Sequence, residues 1–221
     1  MSFWDQNDLN GFINCSNSKI GQITFDTELG KKLYEYAQDE KIKTYLEIGT
    51  WNGLGSTKCF IEGFKKRKTE FKFYSLECNK EKSDYAKQLY SGIENVYILD
   101  QVLLNEIPSN MYEIFPILLT EENLDYINKL DFQNMADKKI FEEKEWYDFV
   151  FLDGGEFTTW FEYNIIKDKC TILALDDVNT FKCRKIVEEL KFSNQWKILH
   201  ENNERNGTMI FERITENNSR D

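Results

Sequence analysis

Three glycines, spaced Gly49-x-x-x-Gly53-x-Gly55, follow a short apolar run at 45–48 and precede Ser56 and Thr57. Strand, glycine turn and helix is a layout that brings backbone N–H groups close to a ligand. Glu47 lies two residues before the first glycine, where a carboxylate can accept hydrogen bonds from a cationic ligand, directly or through water. Further acids close other apolar runs: Glu77, Asp100 beside Gln101, Asp153, and the pair Asp176 and Asp177. An acid ending a second strand, some tens of residues past the glycine turn, is placed to hold two ribose hydroxyls. Glu77 therefore points to a nucleoside ligand, unless it serves only as a favourable acid at a helix N-terminus. The position after a third strand lies beside the adenine in such an architecture, so Asp100 or Gln101 is placed to bond the exocyclic amine. A dinucleotide fingerprint spaces its glycines Gly-x-Gly-x-x-Gly, which this turn does not follow. A glycine turn with no ligand is the plain alternative.

These residues need elements to position them. A helix from the turn runs to about residue 66, after an earlier helix at 27–39 that Asp26 or Thr27 caps and whose Leu29, Leu33, Tyr36 and Ala37 share one face. Strands are expected at 71–76, 95–99, 146–152 and 170–175, the last two nearly continuous in apolar residues, as strands buried on both faces should be. Helices are expected at 80–90, with Tyr85, Ala86 and Leu89 inward, then to about 166 and to about 192. Residues 195–200 and 207–213, joined by a turn rich in Asn and Gly, read as an antiparallel hairpin at the sheet edge. The fold class is therefore α/β, a doubly wound, seven-stranded, mostly parallel sheet closed by an antiparallel hairpin. Residues 1–221 form a single domain with a cap segment at 1–25 and an insertion at 102–146, too long for a simple connection. The insertion carries charged helical segments near 121–130 and 134–144, and reads equally as a lid or as an extra packing layer. Residues 215–221 read as a disordered end.

The totals exclude some partners. A net charge of −11 repels phosphate backbones and anionic membranes, so nucleic acid and membrane are not expected. The one basic cluster, Lys65 to Lys68, ends a helix, where cations are favourable. Five cysteines, at 15, 59, 78, 170 and 183, have no CxxC pair, which argues against a disulfide framework and a zinc knuckle. The polar N-terminus lacks a signal-peptide pattern and no apolar run reaches membrane-spanning length, so the expectation is a soluble, cytoplasmic protein. The apolar part of the insertion is a candidate surface for a homodimer.

From about residue 27 to 213 the chain resembles class I S-adenosylmethionine-dependent methyltransferases. The motifs are Glu47-x-Gly49-x-x-x-Gly53, Glu77-x-Asn79, the strand ending Phe-Leu-Asp153-Gly, and Leu-Asp176-Asp177-Val. They look most like the small-molecule O-methyltransferases, the catechol-type enzymes and the family acting on sugars and antibiotic precursors. The resemblance implies S-adenosylmethionine as cofactor and a small hydroxylated acceptor. It implies that Glu47 and the turn carrying Gly49, Thr50, Gly53, Gly55 and Ser56 face the methionine part, with Asp153 nearby and Glu77 on the ribose. It further implies Mg²⁺ held by Asp153, Asp176 and Asp177, although Asp177 stands where relatives carry Asn. Oxygen ligands suit that ion. Relatives often place Lys or His just after the fourth-strand acid; here the residues are Gly154, Gly155 and Glu156, so Glu156 is the candidate base, with Asp153 beside it. His200, on an edge strand, is not expected to be catalytic. Two other classes stay open: an NAD(P)-dependent oxidoreductase, for which no Tyr-x-x-x-Lys pair appears at the right place, and a non-catalytic nucleoside-binding protein.

Overall fold

A computed structural model describes residues 21–116, 133–142 and 146–214. Helix α1 (Glu28–Gln38) leads into strand β1 (Thr44–Ile48), helix α2 (Ser56–Phe64), strand β2 (Lys72–Leu76), helix α3 (Lys80–Leu89) and strand β3 (Val96–Leu99). Then come short β4 (Gln101–Val102), α4 (Met111–Ile114), α5 (Gln133–Met135) and β5 (Lys139–Ile140). Strand β6 (Tyr147–Leu152), helix α6 (Thr159–Ile166), strand β7 (Cys170–Asp176), helix α7 (Arg184–Phe192) and strands β8 (Trp196–Asn202) and β9 (Thr208–Arg213) complete the chain. The main sheet has seven strands in the order β3-β2-β1-β6-β7-β9-β8. The first five in that order run parallel, and β9 and β8 join antiparallel.

Alternation along the strands builds two cores. Tyr45, Phe149, Phe151, Ile172 and Ala174 face Leu33, Ala37, Phe60 and Phe64 of α1 and α2. The intervening Leu46, Ile48, Val150, Leu152, Leu173 and Leu175 face Tyr163, Ile166, Ile186 and Leu190 of α6 and α7. This two-residue period sends successive side chains to opposite faces, so each central strand serves both layers. Caps begin the helices: Thr27 Oγ1 accepts from the Gly30 N–H at 3.1 Å, and Asn79 Oδ1 accepts from the Lys82 N–H at 3.1 Å. Cys183 is buried just ahead of α7, and none of the four described cysteines is in a disulfide.

Strand order reverses between β1 and β6. In open α/β sheets the ligand crevice lies there, outside the carboxyl ends of the strands. No helix among the described residues is long and apolar enough to cross a membrane.

Two local expectations need correction. On α3 the inward residues are Ser83 and Ala86, while Tyr85 and Leu89 are exposed. The glycine turn packs on that inward face: a Cβ on Gly53 would lie 2.9 Å from the Tyr90 ring and 3.0 Å from the Ala86 Cβ, so position 86 must stay small. Within 134–144 the helix ends at Met135, and Lys139–Ile140 pairs in parallel with Gln101–Val102. The Phe141 N–H then donates to the Val102 carbonyl at 2.8 Å, and its ring is buried against the main sheet. The expected segment at 121–130, like residues 1–20 and 215–221, lies outside the described residues. The described part of the insertion packs: Met111, Phe115 and Met135 join Val102 and Phe157 in a third apolar cluster.

Candidate functional site

The turn after β1 is held by close backbone approach. Gly49 has φ 100°, and a Cβ there would lie 2.1 Å from the Asp153 carbonyl oxygen. Only glycine lets the ends of β1 and β6 meet in this way. The Gly49 and Thr50 N–H groups both donate to the Leu76 carbonyl, at 3.0 and 3.1 Å, which ties the same turn to β2. Trp51 adopts left-handed φ 54°, a costly conformation for a bulky residue. Gly55 lies against Gly21, backbone to backbone.

Glu47 is enclosed. It has no exposed surface, and its carboxylate accepts from Ser56 Oγ at 2.6 Å, Thr57 Oγ1 at 2.7 Å and Ser75 Oγ. Burial pushes its carboxyl up to about 7, against the hydroxyls that favour the charged form. An acid expected to meet a cationic ligand thus bonds three hydroxyls of β2 and of the glycine turn's helix; Thr50 Oγ1 bonds Ser75 Oγ in the same network. Glu77 is also buried, with Oε2 accepting from the Trp51 N–H at 2.7 Å and Oε1 from the Asn79 N–H at 2.8 Å. Its carboxyl is raised by burial, with those N–H groups and Lys82 opposing. The Lys82 ammonium lies over the Trp51 ring. Asp100 pairs with Lys138 of the insertion, and Gln101 forms part of the β4–β5 ladder.

The other acids meet at the ends of β6 and β7. Asp153, Asp176 and Asp177 each offer an oxygen within 4.8 Å of the others. Three carboxylates so close, and buried, repel one another. The chain answers with two cations. Lys182 Nζ lies 2.7 Å from Asp153 Oδ1 and 2.7 Å from Asp177 Oδ2. Arg205, from the β8–β9 turn, reaches Asp176 at 3.2 Å and Asp177 at 3.5 Å, and Asn206 Nδ2 donates to Asp177 Oδ1 at 3.0 Å. Both Asp177 and Arg205 have φ 55°, and two backbone bonds, Val178 N–H to the Gly207 carbonyl and Asn179 N–H to the Asn206 carbonyl, lock the two turns together. Glu156 Oε1 accepts from the Lys182 N–H at 3.2 Å.

Protonation follows burial and charge. Burial, then its acidic neighbours, raise Asp176 to about 7, and its Oδ1 has no hydrogen-bond partner. Burial also raises Asp153 and Glu156, with Lys182 opposing. Burial would raise Asp177 too, but the Lys182 and Arg205 charges overcome it and hold it below the usual range. For Lys182, burial favours the neutral amine, and Asp153, Asp177 and Asp176 overcome that, so it stays an ammonium.

The expected Mg²⁺ ligands therefore converge, but an internal ammonium lies between two of them. The residues as folded do not fit a metal ion, since metal–oxygen distances of about 2.0–2.6 Å would put the ion in the space Nζ takes. Lys182, Arg205 and Asn206 were not legible as site residues. The available signal was a lone lysine inside the apolar stretch Phe181-Lys182-Cys183, and a Gly207 turn loaded with polar side chains. His200 lies apart from this cluster, on β8.

No protein-family model matches this chain, and no curated protein matches it. Solved structures do. An O-methyltransferase from Bacillus cereus in complex with SAH is 15% identical, with a TM-score of 0.58 over 96% of this chain and 92% of that one. SAH-bound methyltransferase PaMTH1 from Podospora anserina is 14% identical, with a TM-score of 0.53 over 97% of this chain and 98% of that one. The SAM-bound O-methyltransferase TomG from Streptomyces achromogenes is 13% identical, with a TM-score of 0.51 over 85% and 80%. The sheet order, the closing hairpin and these likenesses together give the chain the class I methyltransferase fold.

Proposed function

We propose that this chain is an S-adenosylmethionine-dependent methyltransferase acting on a hydroxyl of a small acceptor. The observation that carries the reading is convergence: the glycine turn, Glu77 and the Asp153–Asp176–Asp177 cluster all lie at the carboxyl ends of β1, β2, β6 and β7, around the point where strand order reverses. Solved structures with this topology hold SAH or SAM.

The donor set suits that cofactor. A carboxylate has about four acceptor positions; Glu77 Oε1 takes the Asn79 N–H and the Cys78 thiol, and Oε2 takes only the Trp51 N–H, which leaves capacity on Oε2 for the ribose hydroxyls. Gly49, Thr50, Gly53, Gly55 and Ser56 form the wall for the methionine part. Glu47 acts one step back, holding Ser56, Thr57 and Ser75. Asp100 and Gln101 border the adenine. When bound, the cofactor supplies a sulfonium methyl, so the protein's task is mainly alignment and water exclusion. The acceptor hydroxyl would be held by the β6 and β7 ends, beside the methyl group the cofactor would present. The bound cofactor would supply the methyl group, and Asp153 or Glu156 would take the hydroxyl proton and pass it to solvent. Both carboxyls are raised by burial, which makes them better proton acceptors when ionised.

Incubation with methyl-labelled S-adenosylmethionine and a panel of sugars, catechols and other hydroxylated metabolites tests this. Label in an acceptor, lost in Asp153→Asn, is expected. Cofactor binding with no transfer to any acceptor would favour a non-catalytic nucleoside-binding role.

A further inference from the structure

The carboxylates that end β6 and β7 already enclose a cation of the protein's own. We propose that the Lys182 ammonium is the resident cation of the acceptor site: it stands where a divalent ion would be ligated and holds the acceptor oxygen in that ion's stead. The proposal deepens the methyl-transfer reading and rests on it for the nature of the acceptor.

Geometry supports it first. Nζ is 2.7 Å from the carboxylate that follows β6 and 2.7 Å from one that follows β7, and the side chain is 8% exposed. Lys182 is also built in rather than draped on the surface. Its backbone N–H reaches Thr180 Oγ1 and Glu156 Oε1, each at 3.2 Å. The preceding Phe181 ring packs 5.9 Å from Phe157, and the following Cys183 has no exposed surface. Charge supports it next. Lys182 and Arg205 set two positive charges against the three aspartates. Two of the three aspartate charges are thus compensated within the protein, which weakens the pull on a dication. Lastly, an ammonium carries three N–H donors, and Asp153 and Asp177 take two. The third is available for an acceptor oxygen. A cation kept in the ammonium form can orient that oxygen and stabilise negative charge on it, but cannot take its proton, which leaves base chemistry to the carboxylates.

Mn²⁺ titration followed by electron paramagnetic resonance tests the claim on the whole chain. The wild-type protein is expected to bind no Mn²⁺ at millimolar levels. Lys182→Ala is expected to bind one Mn²⁺ per chain at least tenfold more tightly, and Asp153→Asn added to it should abolish that binding. Lys182→Met, which keeps the apolar stem, replaces Lys182→Ala if circular dichroism shows the latter unfolded. Wild-type methyl transfer should be unchanged by EDTA, and the folded variant should show a raised acceptor KM at unchanged S-adenosylmethionine affinity. Wild-type Mn²⁺ binding that Asp153→Asn removes overturns the proposal; so does a folded variant with no gain in Mn²⁺ binding, or with an unaltered acceptor KM. If neither variant folds, wild-type Mn²⁺ binding and EDTA sensitivity decide it. Absence of S-adenosylmethionine binding would sink the methyl-transfer reading while the Mn²⁺ result still reported on Lys182.

Discussion

Glu47 and Glu77 illustrate how two buried acids at neighbouring strand ends can do different work. Glu77 keeps acceptor capacity beyond its two backbone partners, and Glu77→Ala should weaken S-adenosylhomocysteine binding roughly ten- to a hundredfold, about 1.5–3 kcal/mol for hydrogen bonds to a charged group. Isothermal calorimetry reads this directly. Glu47 is saturated by hydroxyls and enclosed, so its signature is in stability. Its folded carboxyl is raised from 4.5 to about 7, so the folded state holds the proton more tightly than the unfolded chain. That contribution is greatest below 4.5 and is lost as pH climbs to about 7, at up to about 1.4 kcal/mol for each pH unit crossed. Asp176, also raised to about 7, adds to the same slope. Urea unfolding between pH 4.5 and 8 should therefore show stability falling with pH in the wild-type protein, and a shallower fall in Glu47→Gln. An equal slope in the two proteins would show that Glu47 ionises freely.

At the scale of elements, positions where one piece of backbone crosses another matter most. Gly49→Ala puts a methyl 2.1 Å from the Asp153 carbonyl at φ 100°, so β1 and β6 cannot keep their ends together. A loss of at least about 2–3 kcal/mol is expected, with cofactor binding lost in parallel. Phe157 tests the insertion: its ring lies 5.3 Å from Phe115 and 5.9 Å from Phe181, and Phe157→Ala should cost about 3–5 kcal/mol by denaturant melting. A cost under about 1 kcal/mol would mean the insertion is loosely laid on the sheet. What was legible in the sequence follows this division. The strands were, because β6 and β7 are nearly unbroken apolar runs whose alternate residues serve two cores. The α3 face was not, because Tyr85 and Leu89 fit a helical period with Ala86, whereas the folded helix turns Ser83 and Ala86 inward, with Gly53 packed on Ala86. The acids at strand ends were legible from position; Lys182 and Arg205 were not, since both come from turns: Lys182 reaches Asp153 only when β7 pairs with β6, and Arg205 reaches Asp176 only when β9 pairs with β7.

For the molecule as a whole, the surplus of acids decides what it avoids. With a formal charge of −11, the chain should not be retained on heparin or shift labelled RNA at moderate salt. Retention would reveal a basic surface that the total conceals. The topology decides what it takes. Crossing from β1 to β6 opens a crevice at the carboxyl ends of the five parallel strands, where the glycine turn, Glu77, Asp153, Asp176 and Asp177 lie. Calorimetric titration of the protein with S-adenosylhomocysteine tests this most directly. One site per chain, weakened in Glu77→Ala and retained in Lys182→Met, is predicted; no heat at millimolar nucleoside, or binding indifferent to Glu77, would contradict it.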